Sequence, residues 1–339
     1  MDETVECRNV WKIFGEKSKD AHKAVNDHGL GKKEILERFG CVVGVADVSF
    51  SVGKGEIFCI MGLSGSGKST LVRHINRLVE PTAGEIHVAN QNVNALQGTQ
   101  LRQLRSQSVG MVFQNMALLP HRTVIDNVAL SLELRGMNRN ERHKIAIEKL
   151  KLVSLDGWGD RFPDELSGGM KQRVCLARAM AADPEILLMD EPFSALDPLI
   201  RRQLQEQFLE LSKVLKKTTV FITHDLDEAI RLGTHIAIMK DGRFVQVGTP
   251  EQIVTEPADD YVADFVKGIS RLELVSAGRV MQPVDVTHLF ESGPTVLATD
   301  KLSRLLQIAK EHDGEITVLD GERPVGVISR HGLLNAVSG

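Results

Sequence analysis

"EIFCIMGLSGSGKSTLVRHINRLV", residues 56–79, joins a short apolar run to a glycine-rich turn and then to a polar–apolar segment of helical rhythm. Inside it, Gly62-Leu63-Ser64-Gly65-Ser66-Gly67-Lys68-Ser69-Thr70 is a full G-x-x-x-x-G-K-[ST] match. Glycines let the backbone wrap phosphate groups with no Cβ in the way. Lys68 can reach the outer phosphates of a nucleotide and the Ser69 hydroxyl can bind Mg²⁺. A chance Gly-rich turn is disfavoured because a strand precedes the loop and a helix comes after it.

The same short apolar rhythm recurs outward from this loop. "VGMVF" (109–113), "EILLMD" (185–190), "TTVFIT" (218–223) and "HIAIM" (235–239) are bounded by loops and separated by longer segments such as "NRNERHKIAIEKLKLV" (138–153). Buried parallel strands have this signature, and their alternation with helices predicts an α/β domain whose chemistry sits at the carboxyl ends of strands. One such strand delivers Asp190 and Glu191 together. Asp190 suits a Mg²⁺ site as a hard oxygen ligand, and Glu191 stands where a carboxylate could polarise an attacking water. A helix cap would account for one carboxylate more easily than for two beside a phosphate loop.

A second glycine-rich loop lies further along the chain. "ELSGGMKQRVCLARAM" (165–180) runs two adjacent glycines into a basic, apolar helix, offering backbone N–H groups to an anion. Gln114 lies just after one strand, Asp197 just after the acidic pair and His224 after another strand. Singly these are ordinary surface polar groups. In this order, over about residues 5–266, they resemble the ATP-binding subunit of an ATP-binding cassette (ABC) transporter.

That resemblance explains the two loops. In ABC proteins two subunits pair head to tail, and the signature loop, here Leu166-Ser167-Gly168-Gly169, closes over the γ-phosphate held by the partner's copy of Lys68. It implies a second copy in an ATP-sandwich dimer, Glu191 as general base, and His224 holding γ-phosphate and water in line. It also implies Gln114 touching Mg²⁺ beside Ser69 and Asp190, and Asp197 communicating across the dimer. Phe14, in "KIFG", stands where the family stacks a Tyr on adenine; Phe keeps the ring and loses the hydroxyl. Met170 replaces a Gln common at the end of the signature, outside the Ser and Gly positions that face phosphate.

Longer stretches narrow the resemblance. "MGLSGSGKSTLVRHINRLVEPTAGEI", "HDLDEAIRLGTHIAIMKDGRFVQVGTPEQI" and the insertion "GLGKKEILERFGCVVGV" look like ATPase subunits of glycine betaine/proline/choline importers. Such bacterial systems pair the ATPase with transmembrane permease subunits, reached here through about residues 118–134, and with an extracytoplasmic binding protein that selects the osmoprotectant. The ATPase is then peripheral, on the cytoplasmic face of the inner membrane. One Tyr and two Trp, spread apart, form no aromatic cage for a quaternary ammonium ion in this chain. An importer of another solute, such as a polyamine, methionine or another amino acid, is the alternative within the family. A soluble ABC protein of DNA repair or translation is disfavoured by the single cassette and the absence of sustained heptads.

Composition bounds the rest. With 339 residues, 42% hydrophobic and 25% charged, the chain predicts two globular domains. The expected division is an ATPase domain at 1–270, carrying an insertion at about 15–43, and a small α+β module at 281–339. Ile35, Leu36 and Phe39 give the insertion a short amphipathic helix. "DKLSRLLQIAKEHDGEITVLDGERPVGVISRHGLLNAV" resembles a single CBS motif, with Gly332 where nucleotide-binding CBS motifs commonly place an Asp. A net charge of −4 argues against a nucleic-acid partner. Cys7, Cys41, Cys59 and Cys175 show no metal-ligand rhythm and read as reduced thiols of a cytosolic protein. The N-terminus lacks the apolar core of a signal peptide, and no run approaches the ~18 apolar residues of a membrane span.

Overall fold

The structure is a computed structural model describing residues 3–283 and 293–338. Residues 284–292, within the module expected at 281–339, lie outside the described residues. The chain divides into two compact units, Met1–Thr249 and Pro250–Gly339. This division falls earlier than residue 270, because the helices Pro250–Thr255 and Asp260–Val266 belong to the C-terminal unit. There Glu251 accepts from both the amide and the hydroxyl of Ser276, at 2.7 and 2.8 Å.

In the first unit, a six-stranded sheet runs in the order Arg243–Gly248, His235–Lys240, Ile57–Met61, Thr218–Thr223, Ile186–Asp190 and Val109–Val112. Five strands are parallel; Arg243–Gly248 pairs antiparallel to its neighbour. These five are the apolar runs read from the sequence. Three of them are buried at every position, which is why they show no polar–apolar alternation. A second, antiparallel sheet of Val42–Gly53, Glu3–Phe14, Ala83–Val88 and Gln91–Asn92 faces the first. Between them Phe50 stacks on Phe58 at 5.0 Å, and Leu71 and Ile75 of the helix Lys68–Ile75 are fully buried. Burying each such side chain stabilises the core by about 1.5–3 kcal/mol. The helix that begins at Lys68 is therefore anchored from behind while its first turn faces the loop.

The helices Val124–Val128, Leu130–Leu134, Arg139–Leu152 and Gly168–Ala181 form a helical layer of the same unit. The insertion holds two helices, Ser18–His28 and Lys32–Phe39, where the sequence suggested one. Each ends on a left-handed glycine, Gly29 (φ 64°) and Gly40 (φ 63°), the conformation in which glycine meets no Cβ penalty. Of the three apolar residues on the expected face only Ile35 is fully buried, against Trp11, Ile13, Ala21 and Cys41; Leu36 is exposed. All four cysteines are buried thiols, outside any disulfide.

The second unit's sheet runs Gln282–Pro283, Arg323–Ile328, Ile316–Asp320, Thr295–Leu297, with the last two strands parallel. Leu302 and Leu305 of the helix Leu302–Glu311 and Leu333 of Arg330–Ser338 pack with Val296, Val318 and Ile328.

Candidate nucleotide site

The loop between Met61 and Lys68 closes on itself. Lys68 Nζ donates to the carbonyls of Gly62 at 2.7 Å and Leu63 at 3.0 Å. Burial pushes the Lys68 ammonium down, and the nearby Glu191 and Asp190 charges oppose that shift. Two glycines are required by packing. A Cβ at Gly62 (φ 151°) would lie 2.1 Å from the Met239 carbonyl oxygen, and one at Gly67 (φ 106°) 2.2 Å from that of Gly44. Gly65 (φ 78°) differs: a Cβ there would meet nothing within 4 Å, so its bare backbone faces open space.

Asp190 is fully buried at the end of its strand. Its carboxylate accepts from Ser69 Oγ at 2.7 Å and from the Arg73 guanidinium at 3.1 Å. Strand register places the next residue, Glu191, against the strand Thr218–Thr223, where its amide donates to the Ile222 carbonyl at 3.2 Å. Glu191 is left-handed (φ 47°), an uncommon conformation for a side chain of this kind and one that concentrates at functional sites. Its Oε2 lies 3.1 Å from His224 Nδ1 and accepts from Gln114 Nε2 at 3.4 Å.

Ser69, Gln114 and Glu191 open on one cleft of about 360 Å³, lined also by Phe14, Val42, Gly44, Ser64, Gly65, Gly67, Lys68 and Thr70, while Asp190 and His224 meet it through their contacts with Ser69 and Glu191. Phe14 pairs with Val42 across the root of the insertion. Its ring is half exposed, packs over Gly44 and carries Lys12 Nζ at 5.0 Å from its centroid. The fit to a magnesium-bound triphosphate is chemical. The ammonium, the bare Gly65 backbone and the first turn of Lys68–Ile75 suit an anion. The Ser69 hydroxyl, the Asp190 carboxylate and the Gln114 amide are hard oxygen donors. Ser66 Oγ is buried without a protein partner, a donor left over inside the loop.

The remaining sequence-predicted residues stay outside this cleft. Ser167 caps the helix Gly168–Ala181, accepting from the Met170 amide at 3.3 Å. Leu166 is buried, while Ser167 and Gly168 are exposed. Asp197 caps Pro198–Leu215, accepting from the Ile200 amide at 3.1 Å, and is exposed. None of them lines the cleft of its own chain. Arg73 and Gly44 were not singled out from the sequence. Arg73 sits one turn beyond Ser69, and that i, i+4 spacing from the phosphate-loop hydroxyl was a usable signal.

A buried carboxylate tied to the phosphate-loop hydroxyl, with a second carboxylate held open to the same cleft, puts the chain among the P-loop nucleotide hydrolases. The profile of the ABC transporter family matches residues 45–194. The chain is 50% identical to the glycine betaine transport ATP-binding protein OpuAA of Bacillus subtilis over 87% of its own length and 70% of that protein. It is 48% identical to the trimethylamine N-oxide transport system ATP-binding protein TmoW of Ruegeria pomeroyi over 98% of its length and 96% of that protein. Among solved structures, the ATP-binding cassette MJ0796, a dimer in a post-hydrolysis state bound to ADP and Pi, matches at 33% identity. The TM-score is 0.61, over 73% of this chain and 98% of that one. The chain therefore belongs to the ATP-binding proteins of ABC transporters, and it is an ATP hydrolase of that kind.

Proposed function

We propose that this chain energises import of a small solute carrying a fully substituted, positively charged nitrogen, such as glycine betaine, proline betaine, choline or trimethylamine N-oxide. The carrying observation is its near-50% identity, over most of both chains, to the transport proteins of glycine betaine and of trimethylamine N-oxide. Those two solutes share a trimethylated cationic nitrogen and differ in what the nitrogen carries, a carboxymethyl group in one and an oxide oxygen in the other. No described helix is long and apolar enough to cross a membrane. In this reading solute passage is the work of transmembrane permease subunits, with an extracytoplasmic binding protein choosing the solute. The ATPase sits peripherally on the cytoplasmic face of the inner membrane.

In the proposed reaction Lys68 and the amides around Gly65 hold the phosphates of ATP. A bound Mg²⁺, held by Ser69 with Asp190 and Gln114, would neutralise phosphate charge. Glu191 Oε2 takes the proton of the attacking water, and His224, beside that oxygen, keeps water and γ-phosphate in line. Ser167, Gly168 and Gly169, with Asp197, act on the cleft of a second copy, a reading supported by the exposure of Ser167, Gly168 and Asp197 away from their own cleft. Losing one charge-assisted contact of about 1.5–3 kcal/mol slows such a step about 10- to 150-fold. We read the N-terminal unit, Met1–Thr249, as the cassette, and 281–339 within the C-terminal unit as a single CBS-like module that pairs with its copy.

The test is uptake of labelled glycine betaine, choline, proline and trimethylamine N-oxide by cells carrying the parent gene or Glu191→Gln. Selective entry of a methylated-nitrogen solute in the parent and not the variant supports the reading. Entry of proline alone, or of all four solutes equally in both strains, would replace the solute class while leaving the ATPase in place.

A further inference from the structure

Two residues downstream of Gln114 the chain makes an unusual turn. Met116 (φ 62°) and Ala117 (φ 48°) are consecutive and both left-handed, although neither is glycine or asparagine. The turn swings both of their carbonyls onto a single side chain. Arg178 donates from one terminal nitrogen to the Met116 carbonyl and from the other to the Ala117 carbonyl, each at 2.6 Å. Cys175, one helical turn earlier on the same face, donates its thiol to the Met116 carbonyl at 3.2 Å. Burial pushes that thiol up to about 11, so it remains an S–H donor. Arg178 and Cys175 lie on the helix Gly168–Ala181, whose first turn carries Gly168 and Gly169 behind the Ser167 cap.

A guanidinium is a rigid planar fork, and two short bonds to successive carbonyls fix that fork in both position and rotation. Neither Met nor Ala favours the left-handed region, and the turn is held there by its own bonds, from the Met116 amide to the Phe113 carbonyl at 3.0 Å and from the Ala117 amide to the Asn115 carbonyl at 2.6 Å, together with the Arg178 fork. Gln114, just ahead of the turn, reaches Glu191 Oε2. The chain of contacts therefore runs from the helix that bears the signature loop, through Arg178 and the Met116–Ala117 turn, to the side chain beside the proposed general base.

We propose that Arg178 is a positioning residue that clamps the Gln114 loop to the signature helix, so that the signature's engagement with a second copy and the placement of Gln114 beside Glu191 change together. This rests on the ATP-hydrolysing reading above and names the part of the chain that couples its two half-sites.

The experiment is a double-mutant cycle on the full-length chain, with ATP hydrolysis and ATP affinity measured separately. Arg178→Ala is expected to lower kcat by up to about 100-fold, the scale of a small misplacement of a catalytic group, while ATP affinity stays near the parent value because the phosphate loop is untouched. Arg178→Lys, which keeps the charge and the buried stem but loses the fork, is expected to fall between and serves where the alanine variant does not fold. Gln114→Ala combined with either Arg178 variant is expected to be no slower than Gln114→Ala alone. Losses that multiply in the double variant overturn the proposal, as does an Arg178→Lys enzyme with parental kcat. Glu191→Gln is run in the same assay: undiminished hydrolysis there would fail the general-base reading, independently of how Arg178 and Gln114 combine.

Discussion

Ser69 Oγ donates to Asp190 Oδ1 at 2.7 Å, although the two residues are 121 positions apart and the strand leading into the Ser69 loop, Ile57–Met61, is separated in the sheet from that of Asp190 by Thr218–Thr223. The bond spans the carboxyl ends of three parallel strands and ties the phosphate loop to the acidic pair. Asp190 also keeps Arg73, so removal of the hydroxyl leaves the buried carboxylate paired.

Ser69→Ala is accordingly expected to fold and to bind ATP in EDTA like the parent. Its affinity in magnesium should drop about 10- to 150-fold, the equivalent of one charge-assisted contact of about 1.5–3 kcal/mol. Titration calorimetry with and without magnesium reads the difference. Equal losses in both buffers would remove Ser69 from the metal site.

Composite sites make a sharper expectation. Lys68→Ala and Ser167→Ala chains should each hydrolyse ATP poorly alone. Mixed in equal amounts they should regain activity, up to about a quarter of the parental rate, since half the dimers would hold one intact site. A mixture as inactive as its components would show that each chain uses its own signature loop or none.

Stacking on Phe14 is worth about 1–3 kcal/mol by analogy with base–aromatic contacts elsewhere. Phe14→Ala should therefore weaken ATP and GTP to a similar extent, because a phenyl ring offers no hydrogen bond to tell them apart, and Phe14→Tyr should bind at least as well as the parent. Affinity that is indifferent to Phe14→Ala would move the base to another wall of the cleft.

His74 gives the cassette a pH dependence of its own. It is fully buried in the helix that begins at the phosphate loop; Nδ1 meets the Val79 carbonyl at 2.7 Å, and Nε2 is buried without a protein partner. Protonation would bury an unpaired charge, and burial pushes the imidazole from 6.5 down to about 4. The folded state thus binds fewer protons than the unfolded chain below pH 6.5. Stability from this group is full above 6.5 and is lost as pH falls toward 4, by about 3 kcal/mol in total. Urea unfolding followed by tryptophan fluorescence suits the measurement, since Trp11 and Trp158 both lie in the first unit. His74→Asn, which can still donate to Val79, should flatten the acid limb; an unchanged limb would assign it to other groups.

What the sequence displayed was local. The phosphate loop, the acidic pair and the signature are contiguous strings, the glycines of the first letting backbone approach backbone closely and the carboxylates of the second closing a strand, and the parallel strands are short apolar runs that need no alternation. The first helix of the insertion was not legible, since only Ala21 of Ser18–His28 is fully buried and no apolar stripe marks it. The division after Thr249 was hidden because Pro250–Thr255 continues the cassette's polar–apolar rhythm while Glu251 is committed to Ser276. Arg178 was invisible for a different reason. An arginine on a helix reads as solvated surface until the fold brings two left-handed carbonyls beneath it.

The exposed signature has a consequence for the cell. On the proposed pairing, in which Ser167 completes the cleft of a second copy, a lone cassette is an unfinished catalyst, and hydrolysis by unattached subunits should scale with the square of their concentration until pairing saturates. Newly made or displaced copies would then sit nearly silent in the cytosol, sparing the ATP pool. A permease that holds two of them side by side turns that second-order dependence into a fixed local supply, so ATP is consumed only where there is a pore to drive.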